Sequence, residues 1–412
     1  MKIDLDNQLF QSALPVLSTI ESHGYEAYFV GGCVRDTLLE LPIHDIDIAS
    51  SATPDEIEAM FKHTFEVGKE HGTIVVLHND VPYEVTTFRT EGAYSDFRRP
   101  DEVQFVRNLE EDTLRRDFTI NALAFDHYGN LYDYHQGLPD LKAKLIRAVG
   151  TAQERFNEDA LRMIRAIRFA SQLGFTIEAK TFTSLQELAP LIENVSIERI
   201  RIEISKFFQG EFFHLNGDLL PESGLPPYIK AFSKIDVKAG IAGLKHHLKP
   251  LIENELTREE SFVWALFLHS AGINEKSTIK RLLSSWTHSN QLIRDVQDTI
   301  QLLLATDANQ LNSWLVYQFS DYIVKQMIDY LGAHQNEKRT ELLKLYEQLP
   351  IYHRKELQLD GRRIMQVLNM EKGGPIVGKL LLEVEKLVVM GQLENDEQLL
   401  LNYVKQAYQS TN

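Results

Sequence analysis

Hydrophobic periodicity divides the chain into two unlike parts. Over residues 8–22 apolar positions recur at helical spacing and stop before Gly24, which predicts an amphipathic helix. Tyr25 to Val30 reads as a first strand that delivers Gly31 to its edge. The glycine pair Gly31 and Gly32 opens a short helix expected to start near Val34, and the β-branched run Ile43–Ile48 reads as a second strand. Alternation along that run puts Ile46 and Ile48 on the buried face and Asp45 and Asp47 together on the other. Thr53-Pro54-Asp55-Glu56 supplies a capping hydroxyl, a proline at the first helical position and acids in the first turn. Strands are expected near residues 73–78 and 82–88, separated by an Asn79-Asp80 turn. From the capping-box pattern Thr151-Ala-Gln-Glu154 onward, helical periodicity dominates and strand signals almost vanish. Breaks in that helical part are expected in the Gly/Pro cluster of residues 210–228 and, more weakly, in the polar stretch Ala333 to Thr340. The pattern is thus a small α/β domain followed by an all-α remainder.

Composition narrows what such a chain does. Its 412 residues suffice for two or more domains with sizeable cores, and 43% hydrophobic with 25% charged residues is ordinary for a soluble protein. A formal charge of −16 excludes a general polyanion binder, so any nucleic-acid site must be a local basic patch. The single cysteine, Cys33, excludes an internal disulfide, fits a reducing cytosol and reads as buried filler. The acidic start MKIDLDNQLF does not read as a signal sequence, and the longest apolar run, Phe262 to Leu268, is too short to span a bilayer. A cytoplasmic protein without a membrane partner is expected.

The candidate chemistry lies in the first half. Two carboxylates on one strand face, Asp45 and Asp47, repel each other and suit Mg²⁺, which takes its remaining ligands from phosphate and water. Gly31 and Gly32 let a phosphate approach the backbone beside the amides of the following helix. Glu84 in YEVTTF could add a third carboxylate for a two-metal site if its strand neighbours the aspartates. In RRDFTINA, residues 115–122, Arg115 and Arg116 suit a polyphosphate. Asp117 and Asn121, four positions apart, can face the same way and bond a ribose hydroxyl. In residues 154–174, Glu158, Asp159 and Arg162 are three and four apart and share one helix face. Asp accepts and Arg donates, whereas cytosine and adenine offer an exocyclic amine beside a ring-nitrogen acceptor. One Asp–Arg pair could therefore take CTP and ATP and refuse UTP and GTP. His246-His247 has no partner at ligand spacing and reads as helix surface.

Together GGCVRD with DID at 45–47, YEVTTFR at 83–89, RRDFTINA at 115–122 and EDALR at 158–162 resemble the ordered motifs of class II tRNA nucleotidyltransferases, the CCA-adding enzymes. The similarity runs from about residue 25 to 210, and more loosely to residues 373–395, which resemble that family's tRNA-contacting tail. The resemblance implies template-independent addition of C, C and A to the 3′ end of tRNA from CTP and ATP, with release of pyrophosphate. It implies a nucleotidyltransferase head over residues 1–147, a base-reading helical neck over 148–210, a helical body over 211–332 and a tail over 333–412. Asp45, Asp47 and Glu84 would be the catalytic carboxylates, with Mg²⁺ on Asp45 and Asp47. Gly31, Gly32, Arg35, Arg116, Asp117 and Asn121 would serve the triphosphate and ribose; Glu158, Asp159, Arg162, Arg165 and Arg168 would form the base pocket. Gly68, Lys69, His71 and Gly72 would belong to a flexible loop, Asp133 to Asp140 to a hinge, and Ser196 to Arg199 to the start of a supporting helix. VGKEHGT at 67–73 stands where related poly(A) polymerases carry a basic string, and it favours ATP addition over CC-only relatives, although A-only enzymes keep such a loop too. A partial, A-adding or CC-adding, transferase is the alternative, ahead of a poly(A) polymerase. The only His-Asp dipeptide, His44-Asp45, lies in the metal motif, so no accompanying phosphohydrolase activity is expected.

Overall fold

A computed structural model describes residues 3, 5–91 and 103–411. The chain forms two compact units, Met1–Lys245 and His246–Asn412. In the first, helix α1 (Gln8–Ser22) is followed by β1 (Ala27–Val30), α2 (Gly32–Leu38), β2 (Asp47–Ser50) and α3 (Pro54–Met60). Then come β3 (Thr64–Gly68), β4 (Thr73–His78), β5 (Val81–Thr87), β6 (Arg89–Glu91), β7 (Val103–Phe105), α4 (Leu109–Leu114), β8 (Leu123–Phe125) and β9 (Leu131–Asp133). Seven strands make one mixed sheet in the order β3-β4-β5-β2-β1-β8-β9, in which β2 and β5 alone run parallel; β6 and β7 pair separately.

Packing of α1 fixes one face of this sheet. Phe10 meets Phe29 and Phe125 edge-on, with ring centroids 5.0 and 5.2 Å away, and Tyr83 reaches Ser12 through its hydroxyl at 2.9 Å. On the opposite face Val30, Ala49 and Ala124 pack under Phe88 and Leu109. At Thr53 the expected capping box is complete, and the Asn79-Asp80 turn takes positive φ at both residues, as a tight hairpin requires.

Three local expectations are corrected here. The second strand begins at Asp47, not Ile43, because β1 offers only four residues to pair with before Gly31 turns away; Asp45 therefore stands in the preceding loop. Helix α2 begins at Gly32, two residues earlier than expected. Strand β3 went unannounced, since its three central residues are all exposed and leave no alternation of buried positions to detect.

A short helix α5 (Gly137–Lys142) joins the sheet to α6 (Ala152–Glu158), α7 (Leu161–Leu173), α8 (Ala179–Leu188) and α9 (Ile197–Phe208). The junction is tightly tied. Asp133 accepts from the amides of Gly137 and Leu138 at 2.7 and 2.9 Å, and a Cβ on Gly137 would lie 2.3 Å from the Thr119 carbonyl oxygen. Arg147 bridges Asp140 at 3.0 Å and Glu178 at 2.8 Å.

The described residues of the second unit are helical. Residues Phe262 to Leu268 sit in the helix Glu260–Ser270, all buried, with Trp264 against Trp286 at 5.2 Å. An apolar run buried on every side marks a core helix. Among the described residues no helix is long and apolar enough to cross a membrane.

Candidate active site

The carboxylate side of the site is built by the sheet. After β1, Gly31 takes φ +76°, where side chains are strained. A Cβ there would stand 3.4 Å from Asp47 Oδ2 and 3.6 Å from an Arg116 guanidinium nitrogen, so glycine keeps this gap open. Asp47 is the register partner of Val30 on one side and Glu84 on the other, which meets the condition set for Glu84 as a third carboxylate near the pair. Burial, then Asp45 and Glu84, push the Asp47 carboxyl up to about 6 against the pull of Arg116. Cys33 is buried as expected, with Sγ donating to the Val30 carbonyl at 3.2 Å, and burial raises its thiol to about 12.

Opposite stands a wall of guanidinium groups that are already paired. The four-residue spacing of Asp117 and Asn121 is not helical: α4 ends at Leu114, Phe118 is extended and fully buried, and a short 3₁₀ turn covers Thr119–Asn121. Asp117 and Asn121 nevertheless meet, with Asn121 Nδ2 donating to Asp117 Oδ1 at 3.0 Å. Asp117 Oδ2 accepts from Arg165 Nε at 2.8 Å. Burial works to raise the Asp117 carboxyl, but Arg165 and Asn121 overcome it and hold it at about 2. Arg35 donates to Asn121 Oδ1 at 2.8 Å and lies 5.0 Å over the Phe169 ring. Buried Asp112 takes Arg115 at 2.8 Å and Arg116 at 3.3 Å.

The helix face proposed for Glu158, Asp159 and Arg162 does not exist as a single face. Helix α6 ends at Glu158, Asp159 is extended (φ −139°, ψ 103°), and α7 starts at Leu161. The break follows from what the Asp159 side chain does: Oδ1 accepts from the Leu161 amide at 3.0 Å and Oδ2 from Arg199 at 2.6 Å. Arg162 instead binds Glu158 at 2.6 Å and the Arg115 carbonyl at 2.7 Å, while Glu158 also pairs with Arg155. Glu158 is thus a support for Arg162. Asp159 and Arg162 both reach the cavity, brought there by a kink and not by periodicity.

Residues that sequence reasoning missed complete this wall. Glu203 on α9 lies 2.5 Å from Arg168 Nε, both side chains being nine-tenths buried. Burial draws the Arg168 guanidinium down to about 10 and Glu203 opposes the fall, so the charge persists at neutral pH. Phe169 gathers Arg168, Arg35 and Arg165 at 3.9, 5.0 and 5.3 Å from its ring centroid. No local pattern in IERIRIEISK marks Glu203, since its partner is 35 positions away on another helix.

These parts enclose a cavity of about 470 Å³ lined by Gly31, Gly32, Asn121, Leu161, Phe169, seven arginines (35, 115, 116, 162, 165, 168 and 199) and four aspartates (45, 47, 117 and 159). The surplus of cations answers the net charge of the chain with the local basic patch that phosphate binding demands. Glu84, Glu158, Gly68, Lys69, His71 and Gly72 are not among the lining residues. Residues Lys69–His71 form a 3₁₀ turn between β3 and β4, Gly72 takes φ +89°, and Lys69 Nζ sits on Asp55 at 2.8 Å and Glu58 at 2.6 Å.

In the second unit His246 is exposed, but His247 is not plain helix surface: its Nδ1 lies 2.8 Å from the Tyr330 hydroxyl, and burial with His334 and His246 nearby lowers it to about 4. No group of three His, Cys, Asp or Glu among the described residues is arranged to hold a metal.

A mixed sheet with a carboxylate row beside a guanidinium-lined cavity defines a nucleotidyltransferase head. Comparison with known proteins agrees: residues 27–147 match the family model of the poly A polymerase head domain, 174–232 that of a probable RNA and SrmB-binding site of polymerase A, and 255–404 that of a putative tRNA nucleotidyltransferase domain 2. The CCA-adding enzyme of Enterococcus faecalis is 44% identical over 406 residues, covering 98% of both chains, and that of Limosilactobacillus reuteri 42% identical over 411 residues, covering 98% of this chain and 99% of its own. The crystal structure of the Bacillus stearothermophilus CCA-adding enzyme in complex with CTP superposes with a TM-score of 0.82 at 34% identity, covering 98% of this chain and 99% of the other. The chain belongs to the family of CCA-adding enzymes.

Proposed function

We propose that the protein adds C, C and A in turn to the 3′ end of tRNA lacking them, using CTP and ATP, releasing pyrophosphate and needing no nucleic-acid template. One observation carries this reading: a single cavity joins the carboxylate pair, phosphate-binding arginines and a donor–acceptor pair suited to cytosine and adenine. In this reading residues 1–147 are the catalytic head, 148–210 the neck, 211–332 the body and 333–412 the tail. The lone, buried Cys33 suits a cytoplasmic setting.

The donor set fits Mg²⁺. Asp45 and Asp47 offer hard oxygens at the cavity edge, and after burial it is the charges of Asp45 and Glu84 that push the Asp47 carboxyl up, a repulsion that a bound cation would relieve. Asp45 and Asp47, with Glu84 beside them, would hold magnesium, which when bound would supply the charge that acidifies an attacking hydroxyl and steadies departing pyrophosphate. Arg35, Arg116 and the amides at Gly31 and Gly32 hold the triphosphate, and Asp117 with Asn121 orients the ribose. Asp159 accepts from the exocyclic amine of the base and Arg162 donates to the adjacent ring nitrogen; each keeps hydrogen-bonding capacity beyond its internal partners. Arg165 and Arg168 fix the floor under this edge through Asp117, Glu203 and Phe169. Gly68 to Gly72 form the segment that adjusts when the pocket changes from a pyrimidine to a purine.

The test is incubation of tRNA lacking CCA with CTP, ATP or both, with product lengths read on a sequencing gel. CC with CTP alone and CCA with both support the reading. Arrest at CC with both nucleotides, or extension only of tRNA already ending in CC, would assign a partial transferase instead.

A further inference from the structure

The sheet carries an open surface that the nucleotide cavity does not use. Strand register places Asp47, Glu84, Val75 and Phe65 in one row across β2, β5, β4 and β3, all on the face turned away from α1. Moving outward from the carboxylates, the row becomes apolar. Val75 is partly exposed, Phe65 is 55% exposed, and Val67, in the bulge between Glu66 and Gly68, is 66% exposed. Lys69, which follows β3, is held by Asp55 and Glu58.

The cavity lies on the other side of Asp47, toward Gly31, Arg35 and Arg116. Phosphoryl transfer sets the attacking and leaving oxygens roughly in line across the phosphorus. With the triphosphate on the β1 side, the attacking hydroxyl has to arrive from the β5–β4–β3 side. On the transferase reading given above, on which this inference rests, that hydroxyl is the 3′ end of an RNA strand.

We propose that the outer face of β3 and β4 is the seat of the RNA 3′ end, with Phe65 the platform on which a base upstream of the terminal nucleoside stacks. Phe65 lies three strand spacings from Asp47, roughly 14 Å. That is too far for the nucleoside whose hydroxyl reaches the carboxylates, and suits a preceding one. An exposed aromatic ring flanked by aliphatic side chains holds bases, which offer π-faces whatever their identity. A sequence-tolerant platform is what a strand end that changes from one base to the next requires. Phe65 is a positioning residue in this scheme.

The test is steady-state C addition to a tRNA transcript lacking CCA. Phe65→Ala should raise KM for the transcript about tenfold, with kcat and KM for CTP changed less than twofold; Phe65→Trp should restore the unaltered value and Phe65→Leu should not. An abasic nucleotide next to the transcript's 3′ terminus should cost the unaltered protein as much, and cost Phe65→Ala nothing more. Unchanged KM for the transcript in Phe65→Ala, a change confined to CTP, or additive losses with the abasic transcript would overturn the platform while leaving the transferase reading intact. Absence of C addition by the unaltered protein would overturn both. Since Phe65 is exposed on an edge strand, its replacement leaves the core of the fold untouched.

Discussion

The two walls of the cavity handle charge in opposite ways. On the sheet side, Asp45, Asp47 and Glu84 crowd together with Arg116 as the opposing cation, and the Asp47 carboxyl rises to about 6. On the helical side every buried charge has a partner: Asp117 with Arg165 at 2.7 Å, Glu203 with Arg168 at 2.5 Å, Asp159 with Arg199 at 2.6 Å. On the reading proposed above, a cation and a substrate complete the first wall, whereas the second is ion-paired beforehand. On that reading, chemistry that needs charge to arrive with substrate and recognition that needs fixed geometry occupy different walls of one cavity.

Breaking the sheet side should have the largest effect. Asp47→Ala should lower addition of C and of A alike by about 10³-fold or more, with tRNA retention on a filter unchanged; near-normal rates would dissolve the distinction between the walls. Next, Glu203→Gln should cost about 3–5 kcal/mol of stability, because it strands the buried Arg168 charge. Its signature is a fall in Tm, and an unshifted melt would mean that the helical wall is not prepaid with ion pairs.

Base reading is a smaller quantity. Asp159→Ala should raise UTP incorporation relative to CTP by about fivefold to 150-fold, the worth of roughly 1–3 kcal/mol in a bidentate contact, whereas Arg162→Ala should slow CTP and ATP together. Full selectivity against UTP in Asp159→Ala would place base reading elsewhere.

Acid should separate the walls without mutation. With Asp47 as the proposed metal ligand, rates should fall as pH drops through about 6, and the midpoint should move acidward as magnesium is raised. Preference for CTP over its 2′-deoxy analogue should stay level across that range, because Asp117, assigned to the ribose, remains ionised down to about 2. A ribose preference that decays with the rate would contradict the contrast.

The smallest effect is a gain. In metal-free buffer Asp47→Asn should raise Tm by a few degrees, since it relieves a carboxyl that folding pushes above its ordinary value. The sign follows from linkage: a raised carboxyl is penalised in the folded state above about 6, and the penalty fades as pH falls toward 3.8. The difference between variant and parent should therefore be full at neutral pH and vanish in acid.

Local patterns determined much of this protein. The helix over residues 8–22, the capping box at Thr53, the hairpin at Asn79-Asp80 and the switch to helices after Thr151 are written in spacings of a few residues, and the structure has each of them. The motifs around Gly31, Asp47, Asp117 and Asp159 were legible for the same reason, as short strings whose side chains suit one chemistry. What tertiary structure decided is which strings meet, and at what angle. Asp47 faces Glu84 because two strands far apart in sequence run parallel in register, and Asp159 reaches the cavity because its own side chain breaks the helix that periodicity would have continued. Glu203 and Asp112 became part of the site through partners that burial selected, and β3 exists because β4 offers it an unpaired edge. Periodicity reports which face of an element is buried; it carries no information about which buried face lies opposite, and the charge balance of this site is set entirely by that second fact.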